Sequence, residues 1–145
     1  MMNIMKNHYK HKSNKKFIAV EFNEFQFFET YENVGVHVKS DDKKYKIYEI
    51  GGFGFYDENI DDCYKKQNEI DKELAKFFKN AERVEKPEIK GYRDDADGVI
   101  KQIAYYFKSR DYAVINCVNY KKWSETLEMS LITKKLNNRI IINYY

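Results

Sequence analysis

Proline is almost absent from this chain, glycine is sparse, and no stretch is continuously apolar. One Pro and six Gly among 145 residues, beside thirteen Tyr and ten Phe, exclude a disordered chain and indicate a compact, strand-rich fold. No run approaches the ~20 apolar residues that cross a bilayer, and the N-terminus lacks the apolar segment of a signal peptide. Two cysteines, Cys63 and Cys117, are too few for the disulfide framework of a small secreted domain. Cys63 falls on the apolar face of a helix pattern and Cys117 inside a strand pattern. Both therefore read as small buried hydrophobes in a reducing compartment, and the expected location is the cytoplasm.

Acids are missing from residues 1–16, which hold Lys6, Lys10, Lys12, Lys15 and Lys16. Removing those five from the 26 basic residues leaves 21 against 23 acids in the rest of the chain, so the net charge of +3 resides in the tail. The expected organisation is a basic flexible tail, residues 1–15, and a single domain, residues 16–145. A nearly neutral body is not the basic face of a nucleic-acid-binding domain, and no direct contact with nucleic acid is expected.

What is present is periodicity. Phe17–Phe28 is dense in aromatic and β-branched residues and suits one strand or two short ones. Val34, Val36 and Val38 alternate with Gly35, His37 and Lys39; Asp41–Lys44 reads as a hairpin turn, and Tyr45 to Ile50 as the returning strand. Ile60, Cys63, Tyr64, Gln67, Ile70, Leu74, Phe77, Phe78 and Ala81 recur at spacings of three and four, which predicts a long amphipathic helix capped by Asn59. Glu69–Lys72 and Glu73–Lys76 are expected surface pairs. Pro87 and Gly91 mark a polar connection running to Asp97-Gly98. Val99–Phe107 fits a helix face or a strand; the turn-like Lys108–Asp111 before the plain strand Tyr112–Val118 favours a hairpin. Thr126–Thr133 and Arg139–Tyr144 read as two more strands joined around Asn137-Asn138. The fold expected is α+β: antiparallel sheet from N- and C-terminal strand meanders, with one long central helix packed on it.

Residues 47–62 are the most informative stretch: a strand, a glycine-rich aromatic turn at Gly52-Phe53-Gly54, and an acidic helix start. The third glycine of a dinucleotide fingerprint is missing and no Gly-Lys-Ser/Thr follows. Asp57, Glu58, Asp61 and Asp62 occupy the positive end of the helix dipole and would repel a phosphate. The glycines are expected to supply unusual backbone angles that let Phe53 and Phe55 reach neighbouring surface. No catalytic set assembles elsewhere. Cys63 with His37 as base is opposed by the adjacent acids; His8 and His11 lie in the tail. Asp94, Asp95 and Asp97 with Glu88 could gather a hard cation, and Glu88-Ile89-Lys90 matches the E-x-K fragment of metal-dependent nucleases, which would use Glu88, Lys90 and Asp94 or Asp97; the same residues also suit an ordinary solvated loop. The expectation is a binding protein rather than an enzyme, with no cofactor and no metal.

Gly52-Phe53-Gly54-Phe55-Tyr56, Cys63-Tyr64-Lys65-Lys66-Gln67, and a later hairpin carrying Cys117 toward Trp123 resemble small bacterial immunity proteins of contact-dependent growth inhibition and related polymorphic toxin systems. The resemblance implies a cytoplasmic inhibitor that binds one cognate toxin domain and occludes its active site. The partner surface expected comprises Phe53, Phe55, Tyr56 and Trp123 as apolar anchors, with Asp57, Glu58, Asp61 and Asp62 facing a basic partner such as a nuclease. The alternatives are a phage or plasmid anti-defence binding protein and the metal-dependent nuclease.

Overall fold

The computed structural model describes residues 17–23, 30–39, 41–56, 59–92, 95–122 and 124–136. The sequence-predicted tail, the strand at 139–144, the Asn137-Asn138 turn and the end of the first strand, 24–29, lie outside the described residues. Among the described residues, seven strands and one helix follow in the order β1 (Phe17–Asn23), β2 (Asn33–Lys39), β3 (Ile47–Phe55), α1 (Ile60–Phe77), β4 (Glu82–Tyr92), β5 (Asp95–Tyr106), β6 (Tyr112–Asn119) and β7 (Thr126–Ile132). They form one sheet in the order β1-β2-β3-β7-β6-β5-β4, antiparallel throughout. The α+β class with a helix packed on antiparallel sheet is therefore the observed fold.

Two meanders meet at the β3–β7 pair, where Gly52 faces Met129 and Gly54 faces Leu127. Because each neighbouring pair is antiparallel, β3 and β4 run in the same direction four places apart. Their connection must cross the sheet, and α1 makes that crossing. Its 18 residues span about 27 Å, more than the roughly 19 Å of four strand spacings. The hairpin turns follow from residue type. Asp42 accepts from Tyr45 N–H at 3.0 Å, and Tyr45 and Arg110 take the positive φ values of 49° and 69° that close the β2–β3 and β5–β6 turns.

Alternation sets which residues α1 covers. Ala113, Ile115 and Cys117 of β6 pair with Leu131, Met129 and Leu127 of β7, so these six share the helix-facing side. Cys63 packs there with Ile115, Cys117 and Leu127, flanked by Ile60, Tyr64, Ile70 and Leu74 of the helix stripe. The opposite face is apolar too: Ile100, Val118 and Tyr120 cluster with Ile89, and Tyr48, Ile132 and Leu136 with Phe17 and Tyr112. Every residue from Ala113 to Val118 is consequently buried, which explains why this segment reads as a continuous strand run.

Three readings from the helix onward are corrected. The segment containing Pro87 and Gly91 is not a polar loop but the edge strand β4. An edge strand pairs on one side only, so a residue without an N–H is tolerated, and the register slips between Lys86 and Ile89 where Pro87 sits. Phe77, placed by spacing on the core stripe, is 77% exposed, whereas Phe78 turns inward with edge-on contacts to Tyr105 and Phe107 at 5.5 and 5.0 Å. The helix ends there, with Phe78 N–H donating to Leu74 O at 2.8 Å, so helical periodicity no longer governs which side chain points inward. Glu69 pairs with Lys66 at 2.9 Å rather than with Lys72, while Glu73–Lys76 forms at 2.6 Å. Val99–Phe107 resolves as strand through Tyr106, the first arm of the β5–β6 hairpin.

A candidate binding surface beside the N-terminus of α1

The path from β3 into α1 is shaped by close approach. Gly52-Phe53-Gly54 is not a turn; all three residues lie inside β3. Neither glycine adopts a left-handed angle. A Cβ on Gly52 would stand 3.0 Å from the Tyr31 ring, and one on Gly54 only 2.7 Å from the Thr30 carbonyl oxygen. The glycines therefore serve space rather than torsional freedom: the Thr30–Tyr31 segment lies directly against β3. Tyr31 then packs on the core beneath α1 and donates its hydroxyl to Met129 Sδ at 3.0 Å. Burial, with Tyr56 nearby, pushes its pKa up to about 12.

Phe53 and Phe55 alternate with these glycines and so project from the opposite face, their rings edge-to-face at 5.4 Å. Phe55 is 46% exposed at the strand end. Tyr56 is half-buried, packs against the core around Cys63, and donates its N–H to Glu125 O at 2.9 Å. Burial raises its hydroxyl pKa, with Lys66 opposing. Asn59 caps α1 as expected, its side chain accepting from Asp62 N–H at 3.4 Å and donating to the Asp62 carboxylate. Asp62 also pairs with Lys65 at 2.7 Å. Much of its charge is thereby spent locally, and Asp61 remains the exposed acid of the first turn. Of the expected partner residues, Phe53 and Phe55 project from the sheet face opposite α1, while Tyr56 precedes the helix and Asp61 and Asp62 lie in its first turn. Asp57, Glu58 and Trp123 lie outside the described residues.

The reading of the cysteines as free thiols is overturned. Cys63 and Cys117 are disulfide-bonded, with Cα atoms 6.0 Å apart and both residues fully buried. The bond ties the first turn of α1 to β6. Each cysteine reads as an inward-facing residue of its own element, yet nothing local marks those faces as opposing each other across 54 residues of sequence. With Cys63 oxidised there is no thiolate to serve as a nucleophile. His37 instead contacts Glu49 through Nδ1 at 2.9 Å, its direct cross-strand neighbour.

Two polar features, one of them buried, tie α1 to the sheet. Gln67 on α1 is completely buried and donates from Nε2 to Lys101 O at 2.8 Å and Ile115 O at 2.9 Å, bolting the helix to β5 and β6. Asp71 accepts from Tyr105 Oη at 2.6 Å and from Arg83 Nε and Nη2 at 2.9 Å each. Burial alone would raise the Asp71 pKa, but hydrogen bonds from Arg83 and Tyr105 outweigh it and hold the carboxyl below its usual range. Burial and the Asp71 hydrogen bond push Tyr105 up to about 12. Polar residues on a helix stripe were the available signal: Gln67 and Asp71 stand four apart, both facing the sheet.

The Glu88-Ile89-Lys90 triplet lies on the exposed edge strand β4, where Glu88 and Lys90 pair with each other at 3.4 Å. Among the described residues no three His, Cys, Asp or Glu side chains gather as a metal set, and Asp94 lies outside them. No helix among the described residues is long and apolar enough to cross a membrane. Neither a protein-family model, nor a curated protein, nor a solved structure matches this chain.

Proposed function

We propose that this protein is an immunity or inhibitor protein that binds a cognate toxin domain through the β3–α1 junction and occludes its active site. The observation that supports this reading is an exposed aromatic, Phe55, braced edge-on by Phe53 at the end of β3, with the exposed acid Asp61 in the first turn of the helix that follows. An aromatic anchor held rigid before contact loses little entropy on binding, and an acid at its rim steers a basic partner. The disulfide, the Gly52–Tyr31 contact and the Asn59 cap hold this junction in place. In this reading the protein meets its toxin in the cytoplasm.

The test is co-expression with the toxin domain encoded beside it. A 1:1 complex is expected by size-exclusion chromatography with light scattering. Phe55→Ala is expected to weaken it by about 30-fold, the size of a hot-spot loss of about 2 kcal/mol. Asp61→Lys is expected to slow association and to flatten its salt dependence. Unchanged affinity in both variants would remove this surface from the interface.

One observation favours a second reading of the compartment. A buried disulfide is characteristic of oxidising surroundings and rare in cytosolic proteins, so the same surface would meet its partner outside the cytoplasm. Acid-quenched alkylation of the protein in its native host separates the two: two alkylated thiols favour the cytoplasm, none the oxidising compartment.

A further inference from the structure

The other end of the sheet holds a groove of different chemistry. Lys46 precedes β3, Thr133 follows β7, and Asp111 precedes β6; with Tyr48, Lys134 and Lys135 they line a depression of about 420 Å³. An adjoining recess of about 200 Å³ shares Tyr48, Asp111 and Thr133 and is walled by Ile47, Phe107, Leu131 and Ile132. The two together fall within the size range of small-molecule sites.

Three observations give the groove its preference. First, two ammonium groups are drawn to one ring: Lys46 Nζ stands 5.9 Å and Lys135 Nζ 5.5 Å from the centre of Tyr48. Tyr48 is 5% exposed and packs against Ile132 and Leu136, so the ring that both ammonium groups contact is fixed in place. None of Lys46, Lys134 and Lys135 forms an ion pair with a carboxylate among the described residues. Second, the one acid among the described lining residues is committed elsewhere. Asp111 Oδ1 accepts from Lys134 N–H at 2.9 Å and Oδ2 from Ser109 Oγ at 2.8 Å, so it secures the turn. Third, the Thr133 hydroxyl is buried and has no hydrogen-bond partner, although its backbone N–H donates to Tyr48 O at 2.9 Å. A buried hydroxyl without a partner costs about 1–3 kcal/mol, and an oxygen-rich ligand would supply one.

We propose that this groove binds a small phosphate monoester with an apolar body. The phosphate sits among Lys46, Lys134 and Lys135 near the Thr133 hydroxyl, and the body enters the recess against Ile47 and Phe107. Among the described lining residues, three lysines against one acid leave a local charge of +2, which matches the charge of about −1.5 to −2 on a phosphate monoester at pH 7. Three ammonium groups also offer donors to three terminal oxygens, where a carboxylate has only two. Glu49, on the recess wall rather than in the lysine-lined depression, contacts His37 Nδ1 at 2.9 Å. The site lies at the opposite end of β3 from Phe55, and ligand here leaves the proposed partner surface open.

The probe is phenyl phosphate titrated into the full-length ¹⁵N-labelled protein, followed by amide chemical shifts. Saturable shifts are expected for residues 46–48, 107, 111 and 131–135, with affinity at least about tenfold above inorganic phosphate because the ring adds apolar burial. Lys134→Gln with Lys135→Gln is expected to weaken binding at least about tenfold. Thr133→Val keeps the shape and loses no protein hydrogen bond; a several-fold weakening is expected. Shifts confined to the lysines of residues 6–16, or equal binding by the double variant, would overturn the site. Inorganic phosphate binding as tightly as phenyl phosphate would overturn the role of the recess.

Discussion

Reduction of the Cys63–Cys117 disulfide tests how the fold is held. The bond closes a sequence separation of 54 residues and joins the start of α1 to the most buried strand of the sheet. In the chain-entropy model a cross-link over such a loop removes about 14 cal/mol/K from the unfolded ensemble, or about 4 kcal/mol at 25 °C. Whole domains are stable by only about 5–15 kcal/mol, so this one bond carries a large share. The two sulfurs are fully buried, which makes reduction slow in the folded state; the protein is therefore reduced while unfolded and then refolded with reductant present. Urea unfolding of the oxidised and reduced forms gives the comparison. With a slope of about 2 kcal/mol/M, the midpoint is expected to fall by about 2 M on reduction. Reduction also keeps every core atom, which Cys63→Ala with Cys117→Ala does not; the double variant adds the loss of packing against Ile115 and Leu127. Two titratable thiols in the air-oxidised, unfolded protein, or a midpoint shift below about 0.5 M, would refute the reasoning.

Two further predictions probe contacts beneath the proposed partner surface. Gly54→Ala places a methyl group 2.7 Å from the Thr30 carbonyl, and because backbone cannot swing aside, thermal unfolding should show a loss of about 1–3 kcal/mol. Gln67→Glu sets a carboxylate against the Lys101 and Ile115 carbonyl oxygens in a fully buried site. Its folded-state pKa is raised above the unfolded value, so its stability is greatest at low pH and falls as pH rises through the folded pKa. Melting at acid and neutral pH should show the variant several kcal/mol worse than the parent at pH 7 and the gap narrowing in acid; a gap independent of pH would contradict the geometry.

The helix was legible because its stripe repeats over five turns, and the β2–β3 and β5–β6 hairpins because alternating strands flank polar turns. Boundaries failed where local and tertiary preferences part. Pro87 and Gly91 punctuate a loop in isolation, but β4 is an edge strand with one paired side, and there they are permitted. Phe77 continues the helical spacing but lies beyond the point where the helix can still bury it. The candidate partner residues are neighbours in sequence, but alternation along β3 turns Phe53 and Phe55 to the sheet face away from the helix that carries Asp61 and Asp62. The basic groove was not legible, because Lys46, Asp111 and Lys134 belong to three separate turns.

Residue order alone therefore decides the elements whose signal is local: the amphipathic helix, its Asn59 cap, and the alternating strands. The pairing of Cys63 with Cys117, the need for glycine beneath Tyr31, and the buried Gln67 bridge were decided only by the folded arrangement. Each depends on which inward-facing positions meet across distant segments, and that is set by sheet order and register, for which no short-range periodicity exists.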